Sequence, residues 1–187
     1  VLPDNFHVRV KVMSQKKEVV HFFNQPVDTY YKVNAPIESG RSLGANITHS
    51  IDGMMVREIT RRCDYNPVVV KRVQRLIFTA WDKPEEYEDN PDNRMVLTLW
   101  DHYQETGYLS ARILDHITAE NISLVDRAVI QELLDSLPVK PFKVLSVHDC
   151  FRVLPSYGND IRKQYNLQLM LLAKSNLLQN LLSQLLG

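Results

Sequence analysis

Val147-His148-Asp149-Cys150-Phe151 sets an imidazole and a carboxylate side by side between two short apolar runs, residues 142–147 and 150–154. Such runs around a two-residue connection predict a tight β-hairpin with His148 and Asp149 at its tip, held by the strands and aimed away from the core. A carboxylate so placed suits a hard divalent cation such as magnesium, which is bound by one or two carboxylates together with substrate phosphates. Turn chemistry by itself also favours Asp at such a tip, and both readings are open at this point.

Two further groups carry chemistry. His49-Ser50-Ile51-Asp52-Gly53 stands at the opening of a predicted helix. Ser50 and Asp52 fit N-terminal capping, and Gly53 inside a helix costs about 1 kcal/mol unless packing or a ligand requires a close approach. His49 alone reads first as a hydrogen-bonded structural histidine. Arg57, Arg61, Arg62, Lys71, Arg72 and Arg75 form a basic run diluted only by Glu58 and Asp64. It is either a phosphate-contacting patch or a solvated helical face.

The elements that must position these residues follow from periodicity. Phe6, Val8, Val10 and Val12 alternate with His7, Arg9 and Lys11, the period of a half-buried strand, and 18–23 reads as its return, with a turn at 14–17 and a stop at Gln25-Pro26. Residues 34–44, with Pro36, Gly40 and Gly44, read as a loop. A helix over about 46–62 places Ile47, Ile51, Met55 and Ile59 on one stripe and His49, Gly53, Arg57 and Arg61 on another. Asn66-Pro67 breaks it, and a second helix spans 68–81. Residues 83–94 read as an acidic surface loop rather than a metal site. Helices are expected over 95–105, 111–117 and 123–137, the last capped by Ser123, and a Leu-rich helical segment over 160–186.

Composition limits the function classes. The 187 residues are 44% hydrophobic and 24% charged, enough for one globular domain with its own core and against disorder or collagen-like structure. Lys and Arg number 22, as do Asp and Glu, so no global field draws the chain to nucleic acid or membrane and any nucleic-acid surface must be a local patch. Cys63 and Cys150 are too few for a disulfide framework or a cysteine zinc site, which points to a reducing, cytoplasmic setting. Walker A, GxSxG, HExxH and Cys/His zinc patterns are absent. No apolar window is long enough to span a bilayer, and Val1-Leu2-Pro3-Asp4 lacks the layout of a signal peptide, so a soluble, unexported protein is expected. The missing initiator Met suggests a piece of a longer chain or a removed upstream segment.

Taken in order, these residues resemble the bacteriophage and mitochondrial type of single-subunit DNA-directed RNA polymerase. That family's palm motif C reads His-Asp-Ser-Phe-Gly-Thr-x-Pro, and His148-Asp149-Cys150-Phe151-Arg152-Val153-Leu154-Pro155 keeps its His, Asp, Phe and Pro. Its upstream Asn-x-x-His-Ser-x-Asp-Gly is matched at every named position by Asn46-Ile47-Thr48-His49-Ser50-Ile51-Asp52-Gly53, and Pro3-Asp4-Asn5-Phe6 resembles its Pro-Asp-Gly-Phe element. Polymerase I type DNA polymerases carry His-Asp-Glu instead and lack the His-Ser-x-Asp-Gly helix. Here Cys150 replaces Ser, Arg152 replaces Gly, and the interval from Gly53 to His148 is longer than in the compact phage enzymes. The resemblance covers roughly the first fifty and the last forty residues, and motifs A and B, with the second catalytic aspartate and the nucleotide-binding helix, are not found.

The resemblance implies an α+β fold in which an antiparallel palm hairpin carries the His-Asp motif among helices, a partial right-hand polymerase. Residues 1–66 would be a fingers and palm segment, 67–141 a helical insertion, and 142–187 the motif C hairpin with a C-terminal helix. Asp149 would be catalytic and bind magnesium in a two-metal site shared with an aspartate from another chain, with His148 beside the primer end. His49, Ser50, Asp52, Gly53, Arg57 and Arg61 would contact the template–RNA hybrid. Partners would be template DNA, RNA product, nucleoside triphosphates and a second polypeptide carrying motifs A and B. No membrane is involved, and the setting is the cytoplasm, of an infected host cell if phage-encoded. The hairpin should lie near the N-terminus of the 46–62 helix. The alternative is a non-catalytic nucleic-acid-binding or assembly subunit.

Overall fold

A computed structural model describes residues 1–9, 14–33, 41–79, 87–147 and 150–186. Phe23 and Asn24 both have positive φ, 47° and 59°, the signature of a two-residue type I′ turn. They fold Ser14–Phe22 (β1) back onto Gln25–Val33 (β2) in an antiparallel ribbon that pairs Ser14 with Val33 and Phe22 with Gln25. The first hairpin therefore differs from the expectation. Residues 6–9 hold no regular structure, 10–13 lie outside the described residues, the expected turn at 14–17 is strand, and the expected stop at Gln25-Pro26 opens β2. Pro26 does not end a strand here because a two-stranded ribbon has only edges, where a missing N–H is tolerated.

Two compact units divide the chain, residues 8–50 in one and 1–7 with 51–187 in the other. In the smaller unit the ribbon is solvated on both faces and is cross-linked by Lys17 Nζ to Asp28 Oδ2 at 2.7 Å. Helix α1, Arg41–Cys63, includes residues 41–44 of the expected 34–44 loop, whose remainder lies outside the described residues. Ser50 is not a cap, as its hydroxyl donates back to Asn46 O at 2.6 Å inside the helix, and Thr48 does the same to Gly44 O.

The larger unit is built on a helical cluster. Asn66 caps α2 (Pro67–Phe78) by accepting from Val68 N, with Pro67 in the first turn. Asn90 caps α3 (Pro91–Thr106), which ends on Gly107 at φ 72°. Residues 91–94, expected in the acidic loop, thus begin a helix, and 80–86 lie outside the described residues. The expected helix at 111–117 shortens to α4, Ile113–His116, and the Ala111 N–H ahead of it donates to a carboxylate of α1 at 2.6 Å. Helix α5, Arg127–Asp135, starts later than expected: Ser123 sits in a 3-10 turn, and Asp126 is the cap, accepting from Ala128 N at 2.8 Å. Val73, Val96, Leu99, Ile113, Ile117 and Ile130 are fully buried in one apolar cluster drawn from α2 to α5.

Strands β3 (Leu145–Val147) and β4 (Cys150–Arg152) pair antiparallel, Val147 against Cys150. Phe142, Phe151 and Val153 pack with Ile59 and Cys63 of α1. Leu145 and Val147, expected to anchor the hairpin as apolar strand, are exposed. The C-terminal segment is two helices, α6 (Gly158–Lys174) and α7 (Leu177–Leu186), since the backbone breaks at Ser175 and Asn176 N donates to Thr106 O at 2.7 Å. Leu177 is buried while Leu178, Leu182 and Leu185 are exposed. The fold is mixed α+β with two small antiparallel sheets among the described residues. No helix of the described residues is long and apolar enough to cross a membrane.

Leu99→Ala removes a fully buried side chain from the α2–α5 cluster and should cost about 2–5 kcal/mol in urea unfolding. Asp126→Ala, which removes only the α5 cap, should cost about 1 kcal/mol.

Candidate functional site

The open face of α1 is organised by a turn at the start of the chain. Asn5 N donates to Leu2 O at 2.8 Å and Leu2 N to Phe6 O at 3.0 Å, with Asn5 at φ 56°. Asn tolerates this left-handed conformation better than most residues with a side chain. The turn drives the Asp4 side chain, only 1% exposed, into α1. Asp4 Oδ2 lies 2.7 Å from Arg57 Nε and 3.2 Å from Arg61 Nη1, and Oδ1 lies 3.2 Å from Arg57 Nη2. Arg112 Nη1 donates to the Asp4 main-chain oxygen at 2.8 Å. Burial by itself would raise the Asp4 carboxyl, but the hydrogen bonds and charges of Arg57 and then Arg61 outweigh it and hold it below the usual carboxylate value of 3.8.

Gly53 lies beside the same cluster. A β-carbon there would stand 3.4 Å from Arg57 Nη1, while the Phe6 ring lies 4.2 Å from Arg57 Cζ on the basic residue's cation–π side. The guanidinium is thus held by Asp4 and Phe6.

Beneath this face lies a second buried carboxylate. Glu58, with 0% exposure, accepts from Ser110 Oγ at 2.7 Å and Ala111 N at 2.6 Å, and is 3.6 Å from Arg61 Nη1 and 3.9 Å from Arg62 Nη1. Arg62 was expected on the basic run, but it is buried: Nε donates to Gln164 Oε1 at 2.9 Å and Nη2 to Ser136 Oγ. Burial pulls its guanidinium below the usual range and Glu58 opposes that. Lys71, Arg72 and Arg75 are exposed on α2, so the six cations do not form one face.

The predicted site residues fall into three sets. Asp52, Gly53, Arg57 and Arg61 share α1 within the larger unit, where Asp52 is exposed and both arginines are about one-third exposed or less. His49 and Ser50 belong to the smaller unit, with His49 exposed. His148 and Asp149 lie outside the described residues, between the paired Val147 and Cys150. The hairpin was expected by the N-terminus of the helix; its described contacts are with Ile59 and Cys63 in the last two turns, and Phe142 N donates to Cys63 O at 2.7 Å. Among the described residues no group of three or more His, Cys, Asp or Glu side chains could hold a metal ion.

Asp4, Glu58 and Arg112 are the members that sequence reasoning did not assign. Pro3-Asp4-Asn5-Phe6 was the available signal for Asp4; nothing local marks Glu58 or Arg112, whose partners are about 50 and 108 residues away. No protein-family model and no curated protein matches the chain.

Asp4→Asn should destabilise the protein by about 3 kcal/mol at neutral pH by leaving Arg57 without its carboxylate and Arg61 with Glu58 alone. Because the folded carboxyl titrates below the unfolded one, the wild-type contribution is complete above the unfolded value and is lost as pH falls through the lower folded value. Urea titrations at descending pH should therefore show a steeper acid loss for wild type than for Asp4→Asn. Cys63 is fully buried and its thiol is pushed up to about 12 by burial, against the pull of Arg62, while Cys150 is exposed. N-ethylmaleimide should add once to the native protein, at Cys150, and a second time only after unfolding, as read by intact mass.

Proposed function

We propose that the chain is part of a DNA-directed RNA polymerase of the single-subunit type, supplying Asp149 to a two-metal site for nucleotidyl transfer on a DNA template. The observation that carries this reading is the register of β3 with β4, which brackets His148-Asp149 between Val147 and Cys150 on a hairpin packed against α1. That helix also carries the His49-Ser50-x-Asp52-Gly53 sequence and the arginines of its open face. The hairpin meets that helix through Phe151, Val153, Ile59 and Cys63, in its last two turns, beyond the His49–Gly53 sequence.

Asp149 would hold magnesium, and one carboxylate is half of a hard-cation site, so a second polypeptide brings the other aspartate together with motif B. When bound, magnesium activates the RNA 3′ hydroxyl and stabilises the leaving pyrophosphate. His148 sits beside the primer end, His49 touches the hybrid near its growing end, and Arg57 and Arg61 neutralise backbone phosphate. Residues 8–50 support a polyanionic partner, with six lysines and arginines against three acidic residues in a chain that is neutral as a whole. Exposed Leu145 and Val147 on the hairpin and Leu178, Leu182 and Leu185 on α7 offer apolar side chains to the complementing polypeptide.

Template-directed ribonucleotide incorporation with magnesium tests the reading, using the chain alone and with the complementing polypeptide of its parent enzyme. Synthesis is expected only in the combined sample, and Asp149→Asn should lower it by about 10²–10³-fold or more while hybrid affinity is kept. Undiminished synthesis by Asp149→Asn overturns the assignment. No synthesis in any combination, with nucleic-acid binding intact, selects the non-catalytic binding or assembly subunit.

A further inference from the structure

Three guanidiniums converge on Asp4, and the carboxylates within reach do not balance them. Arg57 and Arg61 share the Asp4 carboxylate, and Arg112 donates instead to the neutral main-chain oxygen of the same residue. Among the described residues Arg112 has no carboxylate partner. Glu58 cannot compensate it: that carboxylate is fully buried, bound by Ser110 Oγ and Ala111 N, and shared between Arg61 and Arg62. The connected network therefore holds four arginines and two acids. Arg62 and Glu58 are its buried end, so the positive excess falls on half-buried Arg57, Arg61 and Arg112.

Like charges gathered at partial exposure repel one another unless an outside anion joins them. A guanidinium carries five N–H donors in a planar fork suited to phosphate oxygens, and a single bond to a carbonyl leaves most of that capacity unused in Arg112. Arg112 also comes from the 67–141 segment, for which the resemblance supplies no role, and Glu58 fixes residues 110 and 111 directly against α1.

We infer that Arg112 joins Arg57 and Arg61 in contacting the backbone phosphate of nucleic acid lying along the open face of α1, which makes the 67–141 segment part of the nucleic-acid surface. This rests on the nucleic-acid reading of α1 given above. Asp4 is the positioning residue: its carboxylate orients two of the arginines and its carbonyl the third.

The test is the salt dependence of binding to a fluorescein-labelled DNA–RNA hybrid with a template overhang, read by anisotropy. Arg112→Gln, whose amide can still donate to the Asp4 carbonyl, should weaken binding several-fold at low salt. It should also flatten the slope of log affinity against log salt by about 0.7–0.9, the loss of one phosphate contact. Arg112→Lys, which keeps the charge, should restore the slope. An unchanged slope for Arg112→Gln while Arg57→Gln flattens it would overturn the role of Arg112 and leave the α1 reading standing. Unchanged slopes in both variants would overturn the α1 reading as well. Arginine modification of the wild-type protein with phenylglyoxal, mapped by mass spectrometry, needs no variant: the hybrid should protect Arg112 together with Arg57. Protection of Arg112 by a nucleoside triphosphate with magnesium but not by the hybrid would overturn the backbone assignment.

Discussion

Two carboxylates removed from water, Asp4 and Glu58, are the constraint around which the larger unit is arranged. An ionised carboxylate is costly to bury unless charges and donors meet it, and each of these is met from several directions. Asp4 is answered by Arg57 and Arg61, and Glu58 by Ser110, Ala111, Arg61 and Arg62. Since α1 supplies Glu58 and the arginines, satisfying both acids ties the opening turn and residues 110–112 to the same helix. Arg62 extends the tie to α6 through Gln164, and the Tyr108 hydroxyl does so again through Gln168 at 2.6 Å. The polar side of α1 is therefore the hub, with the apolar α2–α5 cluster on one side and the β3–β4 hairpin against its last turns.

Elements with strong local signals were legible in the sequence. The Asn66-Pro67 break, the 3.6-residue stripe of α1 and the pairing of residues on either side of His148-Asp149 all follow from chemistry contained within a few residues. What was not legible depended on distant partners or on competing local signals. Ser123 read as the cap, but the chain there closes into a 3-10 turn and the backbone uses Asp126. Ahead of the short α4, Ser110 and Ala111 are bound by Glu58, more than fifty residues away in sequence. In the first ribbon, Phe23-Asn24 carries no glycine to mark a turn, so 18–23 read as a return strand whereas 18–22 belong to the ribbon's first strand.

The candidate site shows the same division. Spacing put Gly53, Arg57 and Arg61 on one helix face, but it could not tell a free cation from one already paired. Arg62, one position on from Arg61, rotates about 100° around the axis and passes from the half-open face to the interior. A run of arginines in a helix is therefore several environments, and the four-residue interval from Arg57 to Arg61 keeps that pair together. The acids that sort these environments, Asp4 and Glu58, carry as much of the site's character as the bases.

The β1–β2 ribbon has a thermodynamic consequence. Its side chains are solvated on both faces and it covers little apolar area, so its own folding releases little ordered water and contributes little to the heat-capacity change of unfolding. A two-stranded ribbon in water is marginal by itself. Calorimetry of the chain would thus register chiefly the melting of the helical cluster, and the ribbon would gain its cooperativity only from whatever surface comes to lie against it.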